Sequence, residues 1–254
     1  MPLLEVREVT KEFGGLTALR RVNFDVFNSE ILGLIGPNGA GKTTAFNVIS
    51  GFFAPTSGRV FFKGSAISGL RPDQISQMGI SRTFQQTNLF MQTSVFDNVF
   101  IGFHKHYKQS VWKAFFHTAS ARKEESILRR KATELLEFMG LNQLKDELAI
   151  HLPHGLQRIL GVCVAVGCNP ELLLLDEPMT GMNPTEKLMM VDLIRRIRDM
   201  GVTIVVVEHD MRAVMSLCER IIVLNYGEKI AEGSSDEIKQ NVHVIEAYLG
   251  KEEE

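Results

Sequence analysis

The chain has 254 residues, enough to bury a core in one large domain or two small ones. Its 28 basic and 30 acidic side chains leave a net charge of −2, which provides no basic excess for nucleic acid or anionic lipid. Cys163, Cys168 and Cys218 have neither CxxC nor zinc-ligand spacing, which indicates reduced core residues of an intracellular protein. Without an apolar run of about 18 residues or a secretory leader, we expect a soluble chain.

The first thirty residues alternate apolar and polar side chains, as in RRVNFDVF, and this predicts half-buried antiparallel strands. EILGLIG is a continuous apolar run that ends in glycine, and KTTAFNVIS follows it with helical spacing. This order predicts a buried parallel strand, a glycine loop and a helix. APTSGRVFFKG predicts a turn and a further short strand.

From about residue 95 to residue 147 the pattern is helical, and ARKEESILRRKATELLEFMG predicts an amphipathic helix with a solvated charged face. The apolar stripe of that helix consists of Ile127, Leu128, Ala132, Leu135, Leu136 and Met139. ELLLLDEP and GVTIVVVEH predict two buried strands, with a helix from Thr185 to Met200 between them. IIVLNYGEKIAEG predicts a hairpin, followed by two short helices and an acidic, frayed end.

GPNGAGKT, from Gly36 to Thr43, matches the phosphate-binding P-loop pattern between a predicted strand and a predicted helix. Its glycines let successive backbone N–H groups turn toward phosphate oxygens, and the helix dipole adds a favourable potential. Lys42 supplies a positive charge to the outer phosphates, and the Thr43 hydroxyl is suited to Mg²⁺.

Polar side chains end several of the predicted strands. Asp176 follows LLLL and can hold Mg²⁺, and the adjacent Glu177 can orient a water molecule. Gln85 ends ISRTF and His209 ends VTIVVVE, with Gln86 as the register alternative to Gln85. Because the carboxyl ends of parallel strands meet at one edge of a sheet, we interpret these side chains as parts of a nucleotide site.

The element order predicts a single α/β domain over residues 1–254, with a P-loop core, an N-terminal antiparallel β subdomain and an inserted α-helical subdomain. We assign residues 1–94 to the β subdomain and first half of the core. Residues 95–168 form the helical subdomain, and residues 169–254 form the second half of the core with the C-terminal helices. Because the insertion splits the core in sequence, the two halves must meet in space.

Several motifs occur in an order and spacing that resemble an ATP-binding cassette (ABC) protein over nearly the whole chain. They are the P-loop GPNGAGKTT, the glutamine loop RTFQQ, the signature LPHGLQR, the metal-binding strand LLLLDEP, the D-loop GMNP and the histidine switch EHD. The resemblance implies a P-loop core of ABC type and a head-to-tail dimer with a second copy or a homologous subunit. Two ATP molecules would each lie between the P-loop of one chain and the signature of the other.

The resemblance also implies roles for individual residues. Phe13 would stack on adenine, where most members have tyrosine, although from the pattern alone it could be a strand-end core residue. The phosphates and Mg²⁺ would be held by Gly36, Pro37, Asn38, Gly39, Ala40, Gly41, Lys42, Thr43 and Thr44.

The remaining implied roles concern metal binding and hydrolysis. Asp176 would bind Mg²⁺, Glu177 would polarise the attacking water, and His209 would reach the γ-phosphate. Gln85 would contact Mg²⁺ or the water and sense the membrane partner. Asn183 stands where many members have an aspartate in the D-loop, so that contact stays polar but uncharged.

The signature departs from the common pattern of the family. Pro153 replaces serine and offers neither a hydroxyl nor an N–H, although proline suits a first helical position, and Leu156 replaces glutamine. The contact with the γ-phosphate of the other subunit is therefore expected from the amides around His154, Gly155 and Leu156, from the helix dipole and from the His154 ring. We expect ATP-driven closure that works but is weaker than with serine.

The helix after the signature lacks the charged residues that the family usually has near Gly161 and Val164. Gly161 in a helix interior costs about 1 kcal/mol relative to alanine. The loss of charge makes the helix either more buried or less well tied to its neighbours, and the sequence leaves both open.

FGGLTAL, SRTFQQTNLF, GMNPTE and IAEGSSDEIKQNVHVIEAYLG look most like the ATP-binding subunits of branched-chain amino-acid importers. That resemblance implies two permease subunits, a solute-binding protein and a cytoplasmic position on the inner face of the membrane. Urea or amide importers, a lipopolysaccharide exporter and a regulatory subunit with poor hydrolysis are the alternatives. A cassette that acts on nucleic acid is disfavoured, because the chain has no long coiled coil, second cassette or basic surface.

Overall fold

A computed structural model describes residues 1–83, 89–103 and 119–249. The strands in these ranges are β1 (Leu4–Phe13), β2 (Leu16–Val26), β3 (Ile31–Ile35), β4 (Ser57–Phe62), β5 (Ser65–Ala66), β6 (Ile80–Arg82), β7 (Leu172–Asp176), β8 (Thr203–Val207), β9 (Arg220–Asn225) and β10 (Glu228–Gly233). The α-helices are α1 (Lys42–Ile49), α2 (Pro72–Met78), α3 (Val95–Phe103), α4 (Ala119–Phe138), α5 (His154–Gly167), α6 (Pro184–Asp199), α7 (Met211–Leu217), α8 (Ser235–Gln240) and α9 (Val242–Leu249).

The N-terminal part forms an antiparallel sheet in the order β2-β1-β4-β5. Its alternating pattern has the predicted effect, since Val22, Phe24 and Val26 of β2 are buried while the residues between them are more exposed. Val6 of β1 pairs with Phe24, which places both side chains on the face that covers α1. The predicted antiparallel β subdomain is confirmed.

A second sheet has the order β10-β9-β3-β8-β7-β6, and it is parallel except for β10, which pairs antiparallel with β9. The central strands β3, β7 and β8 are buried at every position, as continuous apolar runs predict. β3 lies beside β8, and β6 lies beside β7. Strands from both sides of the helical insertion therefore share one sheet, and their carboxyl ends form one edge.

The helical part packs α3, α4 and α5 together. A β-carbon placed on Gly102 of α3 would lie 2.6 Å from the Val164 carbonyl oxygen, so α3 and α5 approach closely. The predicted stripe of α4 is buried except for Ile127, which is 46% exposed. That prediction was wrong, because Ile127 lies about 100° around the helix from Leu128 and outside the buried arc.

Of the two alternatives for α5, the structure supports burial, since Ile159, Leu160, Val162 and Cys163 are all buried. Gly161 and Val164 are half-buried and line a groove between α5 and the core. Because neither position carries a charged side chain, both contribute to an apolar wall of this groove.

The described cysteines are free. Burial raises the pKa of the Cys163 thiol and raises that of Cys218 to about 12, so both are unreactive core residues. Cys168 at the end of α5 is partly exposed, so the prediction that all three cysteines belong to the core fails there.

The C-terminal part contains the predicted hairpin, β9 and β10, and the two predicted short helices, α8 and α9. The helix expected from Thr185 to Met200 begins and ends one residue earlier, at Pro184 and Asp199. Among the residues that the structure describes, no helix combines the length and apolarity that a membrane span requires.

Candidate functional site

The P-loop connects β3 to α1, as its sequence context predicted. A β-carbon placed on Gly36 would lie 2.1 Å from the Leu224 carbonyl oxygen, so only glycine fits where the loop leaves the sheet. Gly39 and Gly41 have φ values of 80° and 102°, in the region that disfavours other residues. The turns of the loop thus follow from its glycines.

The hairpin between β9 and β10 supports the P-loop from one side. The Gly227 N–H donates to the Ala40 carbonyl at 3.1 Å, and the Arg20 N–H donates to the Gly227 carbonyl at 2.8 Å. Tyr226, 85% exposed, lines the cleft beside the loop. Sequence reasoning missed this residue, because the NYG pattern signals only a turn until the hairpin is placed against the P-loop.

Lys42 lies at the start of α1 and turns back over the loop. Its Nζ donates to the carbonyl oxygens of Gly36 at 2.7 Å and Pro37 at 2.9 Å. Burial lowers the pKa of Lys42, and the charges of Glu177 and Asp176 oppose that effect. Because an ammonium group has three donors, one remains for a phosphate oxygen.

Above the P-loop is a cleft of about 680 Å³. Its lining includes Asn38, Gly39, Ala40, Gly41, Lys42, Thr43, Thr44 and Glu177, with Gly15, Leu16, Thr17, Ala18, Arg20 and Tyr226 on the remaining sides. The cleft therefore brings the predicted P-loop residues from Asn38 to Thr44 together with Glu177.

Phe13 is not among the described residues that line this cleft, although Gly15 and Leu16 are. Its ring is 40% exposed and meets Phe53 edge to face, with 5.1 Å between the ring centroids. The Lys11 Nζ lies 4.9 Å from the centre of the Phe13 ring. A stacking role for Phe13 stays a prediction.

Asp176 ends β7 with its side chain only 2% exposed. Its Oδ2 accepts a bond of 2.8 Å from Nη2 of Arg82, and its backbone N–H donates to the Thr83 hydroxyl at 3.2 Å. Oδ1 is buried and has no hydrogen-bond partner among the described residues. A buried anionic oxygen without a partner fits a hard cation such as Mg²⁺, which is the role predicted for this residue.

Glu177 follows Asp176 in a backbone conformation with φ of 48°, which is unfavourable for a residue other than glycine. Its N–H donates to the Val207 carbonyl at 2.9 Å, and its Oε2 accepts from the Thr180 hydroxyl at 3.2 Å. The same Oε2 lies 3.8 Å from Nδ1 of His209, whose side chain is 60% exposed. The structure thus brings these two predicted catalytic residues together at neighbouring strand ends.

Glu208 is a further carboxylate in this region, and sequence reasoning missed it. It is 1% exposed, and its Oε1 accepts the Met179 N–H at 2.7 Å. Burial is the largest effect on Glu208 and raises its pKa. Its position before His209 is the only sequence signal, and the contact with Met179 becomes visible only when β7 and β8 are side by side.

The signature forms the start of α5, with Pro153 as the N-cap residue and His154 as the first helical residue. The expectation that Pro153 occupies the first helical position is therefore wrong by one residue, because its ψ of 148° is extended. Its carbonyl accepts the N–H of Gln157 at 3.0 Å, and no side chain caps the helix.

The signature packs against the D-loop of its own chain. A β-carbon placed on Gly155 would lie 2.6 Å from Cδ of Glu186, and one placed on Gly181 would lie 3.0 Å from the His154 ring. Glu186 also accepts the Asn183 N–H at 2.9 Å, while the Asn183 side chain caps α6. Asn183 therefore has a structural role as the N-cap of α6, which the sequence analysis of this D-loop position did not predict. Of the described residues that line the P-loop cleft, none belongs to α5.

Gln85 and its register alternative Gln86 lie outside the described residues. Their predicted roles stay predictions.

A P-loop with acidic residues at the end of another strand of the same sheet defines the class of P-loop nucleoside triphosphatases. The family model described as ABC transporter matches residues 19–180, and the model described as branched-chain amino acid ATP-binding cassette transporter matches residues 228–254. The chain belongs to the ABC transporter family and is an ATP-binding, ATP-hydrolysing cassette.

Curated relatives match over almost the whole chain. The high-affinity branched-chain amino acid transport ATP-binding protein LivG of Escherichia coli K12 is 39% identical over 251 residues, which are 98% of each chain. The corresponding protein BraF of Pseudomonas aeruginosa is 38% identical with the same coverage.

Solved structures agree with this assignment. A crystal structure of a nucleotide-free ATP-binding cassette from an ABC transporter has a TM-score of 0.86 and 31% identity, and covers 99% of this chain and 100% of its own. A dimeric cassette in a post-hydrolysis state, bound to ADP and Pi, has a TM-score of 0.77 and 26% identity, with 91% and 98% covered.

Proposed function

We propose that this chain is the motor subunit of a branched-chain amino-acid importer, acting as a head-to-tail dimer bridged by two ATP molecules. The dimer is supported by the separation, within one chain, of the two predicted halves of the ATP site. Lys42 and Glu177 line the cleft, whereas the described cleft lining contains no residue of α5. A second chain is needed to bring His154 and Gly155 to the open side of a nucleotide.

The residues at the cleft support separate roles in ATP hydrolysis. The glycine-rich loop and Lys42 bind and neutralise the phosphates, because the loop turns its backbone amides toward them. Glu177 holds and polarises the attacking water at the γ-phosphate, and no covalent intermediate forms. His209, whose Nδ1 lies 3.8 Å from Oε2 of Glu177, would contact the γ-phosphate, and the Thr180 hydroxyl donates to the same Oε2 at 3.2 Å.

Mg²⁺ fits the residues present. Thr43 offers a hydroxyl at the cleft, and Asp176 offers the buried Oδ1 that lacks a partner. When bound, the ion would neutralise charge that develops on the β- and γ-phosphates. The described residues contain no cluster of three or more His, Cys, Asp or Glu side chains suited to a metal.

An apolar groove between α5 and the core supports a contact with permease helices. It has a volume of about 430 Å³ and contains both Thr83 and Leu89, the residues on either side of the segment that includes Gln85. Its apolar lining includes Phe52, Ile75, Leu89, Gly161, Val164 and Ala165. Closure of the dimer would move this groove, and a permease helix seated in it would move with it.

The branched-chain assignment rests on the full-length relatives and on the tail, residues 228–254, which the model for branched-chain amino acid ATP-binding cassette transporters matches. The proposed location is the cytoplasmic face of the membrane, with a solute-binding protein as an indirect partner. No observation on the chain favours urea, amides or lipopolysaccharide over this class.

The test is reconstitution of the chain with the permeases encoded beside its gene and the associated binding protein in proteoliposomes. ATP-dependent uptake of radiolabelled leucine, isoleucine or valine is expected, and the Glu177→Gln chain should abolish it. Uptake of urea in place of these amino acids, or ATP-independent uptake, would contradict the proposal.

A further inference from the structure

Arg82 is a buried arginine that the proposed mechanism does not use. Its side chain is 6% exposed, and its guanidinium pairs with the carboxylate of Asp176, which is 2% exposed. A buried ion pair is costly to desolvate, and its retention at a site of this kind calls for an explanation beyond stability.

The bonds of Arg82 join separate parts of the ATP site. Nη2 donates to Asp176 Oδ2 at 2.8 Å, while Nη1 donates to Asn47 Oδ1 at 2.7 Å and to Ser50 Oγ at 3.0 Å. Asn47 and Ser50 belong to α1 and its C-cap, and α1 begins with Lys42 and Thr43. Arg82 therefore links the helix that carries Thr43 to the strand end that carries Asp176.

The pairing with Arg82 also fixes which oxygen of Asp176 stays available. Arg82 occupies Oδ2, and Oδ1 is left buried without a hydrogen-bond partner among the described residues. The neighbouring Thr83 hydroxyl accepts the backbone N–H of Asp176 at 3.2 Å, so the end of β6 holds this residue at two points. The carboxylate is thereby prevented from rotating freely.

Aromatic rings restrict the guanidinium in turn. Its Cζ lies 5.5 Å from the centre of the Phe46 ring and 5.9 Å from that of Phe52. A planar fork that stacks on aromatic rings and bonds two partners at once is a property of arginine that lysine lacks.

We infer that Arg82 is a positioning residue for the metal site, which holds Asp176 through Oδ2 so that Oδ1 faces the divalent cation of bound ATP. The inference rests on the proposed metal role of Asp176. Outer-shell partners of this kind typically change metal affinity by about 10- to 100-fold when they are removed.

The test measures metal affinity rather than hydrolysis. With the chain in excess over a non-hydrolysable ATP analogue, Mn²⁺ serves as a paramagnetic stand-in for Mg²⁺, and its binding to the complex is followed by electron paramagnetic resonance. We expect Arg82→Met to weaken Mn²⁺ binding by about 10- to 100-fold, and Arg82→Lys by less, because lysine keeps the charge without the fork. Nucleotide affinity in EDTA should stay within about twofold of the wild type, because the proposed phosphate contacts come from the P-loop backbone and Lys42.

Arg71→Met is the matched control, because Arg71 forms an arginine–aspartate pair with Asp73 on the surface. A purely structural role for Arg82 would lower the melting temperature without a change in Mn²⁺ affinity, and that result would overturn the inference. If Arg82→Met does not fold, Arg82→Lys alone decides between the two outcomes. Asp176→Asn distinguishes a failure of the Arg82 inference from a failure of the proposed metal role of Asp176. If Asp176→Asn leaves Mn²⁺ binding unchanged, the metal role fails, and the inference about Arg82 fails with it.

Discussion

The P-loop and the signature are both glycine-containing helix starts, yet the chain supports them in different ways. The P-loop is bonded to the β9–β10 hairpin, carries Lys42 folded over its own carbonyl oxygens and opens into a cleft that includes Glu177. The helix of the signature begins after Pro153 without a side-chain cap, and the signature packs against Gly181 of its own D-loop and Glu186 of α6. In the dimer that we propose, the P-loop end is a nearly complete site within one chain, whereas the signature end depends on a second chain for its function.

The largest effect is expected at Glu177. We predict that Glu177→Gln lowers ATP hydrolysis by about 10² to 10³-fold, because the water loses its polarising carboxylate, while ATP binding persists. Glu171→Gln, at the opposite end of β7, is the control and should leave the rate unchanged. Equal rates of phosphate release in the wild type and Glu177→Gln would remove Glu177 from the mechanism.

The next effect tests the P-loop itself. Lys42→Ala should weaken ATP and ADP binding by about 10- to 100-fold, since hydrogen bonds to charged groups contribute roughly 1.5 to 3 kcal/mol. Calorimetric titration measures this change, with the surface variant Lys63→Ala as a control. Unchanged affinity would mean that Lys42 remains bonded to Gly36 and Pro37 in the presence of nucleotide.

Gly155→Ala tests the signature without a change to the cleft. Its new β-carbon would meet the Glu186 carboxylate, which accepts the Asn183 N–H, and displacing a hydrogen bond of this kind costs about 1 kcal/mol, so ATP-dependent dimerisation should weaken by about fivefold. Nucleotide binding by the monomer should not change. The double variant Gly155→Ala/Glu186→Ala should recover part of the dimerisation. Sedimentation velocity with ATP measures dimerisation, and an unchanged dimer fraction in Gly155→Ala would contradict the prediction.

Phe13 provides a smaller and more local test. If its ring stacks on adenine when nucleotide binds, Phe13→Ala should weaken ATP binding by about fivefold or more, and Phe13→Tyr should not. Tripolyphosphate, which has no base, should bind equally well to all three chains. An equal loss for ATP and tripolyphosphate would indicate damage to the fold and not a lost stacking contact.

The smallest expected effect concerns Pro153. Pro153→Ser would add an N-cap hydroxyl worth about 1 kcal/mol to α5, and we predict a few-fold gain in ATP-dependent dimerisation and hydrolysis. Pro153→Ala separates loss of the ring from gain of the hydroxyl. Unchanged dimerisation and hydrolysis in Pro153→Ser would show that the proline does not weaken closure.

The sequence predicted the parts of the site that depend on local backbone pattern. Glycines of the P-loop, apolar strands and the residues at their ends are readable because each signal lies within a few adjacent positions. The sheet order then brought Glu177 to His209, as parallel strands that end at one edge would.

What the sequence did not predict arises from contacts between distant residues. The pairing of Arg82 with Asp176, the bond from Met179 to Glu208 and the contact of Gly155 with Glu186 each join separate elements. The exposure of Ile127 has the same origin, because a helical stripe fixes the direction of a buried arc but the packing partners fix its width.

The most direct test of the shared ATP site mixes two defective chains. Lys42→Ala has no working P-loop, and Gly155→Asp has no working signature, so neither chain alone can form a complete site. In a head-to-tail heterodimer one site combines both defects and the other combines the intact P-loop with the intact signature. The account predicts that ATP hydrolysis in the equimolar mixture rises well above the mean of the two separate rates, and a rate equal to that mean would contradict it.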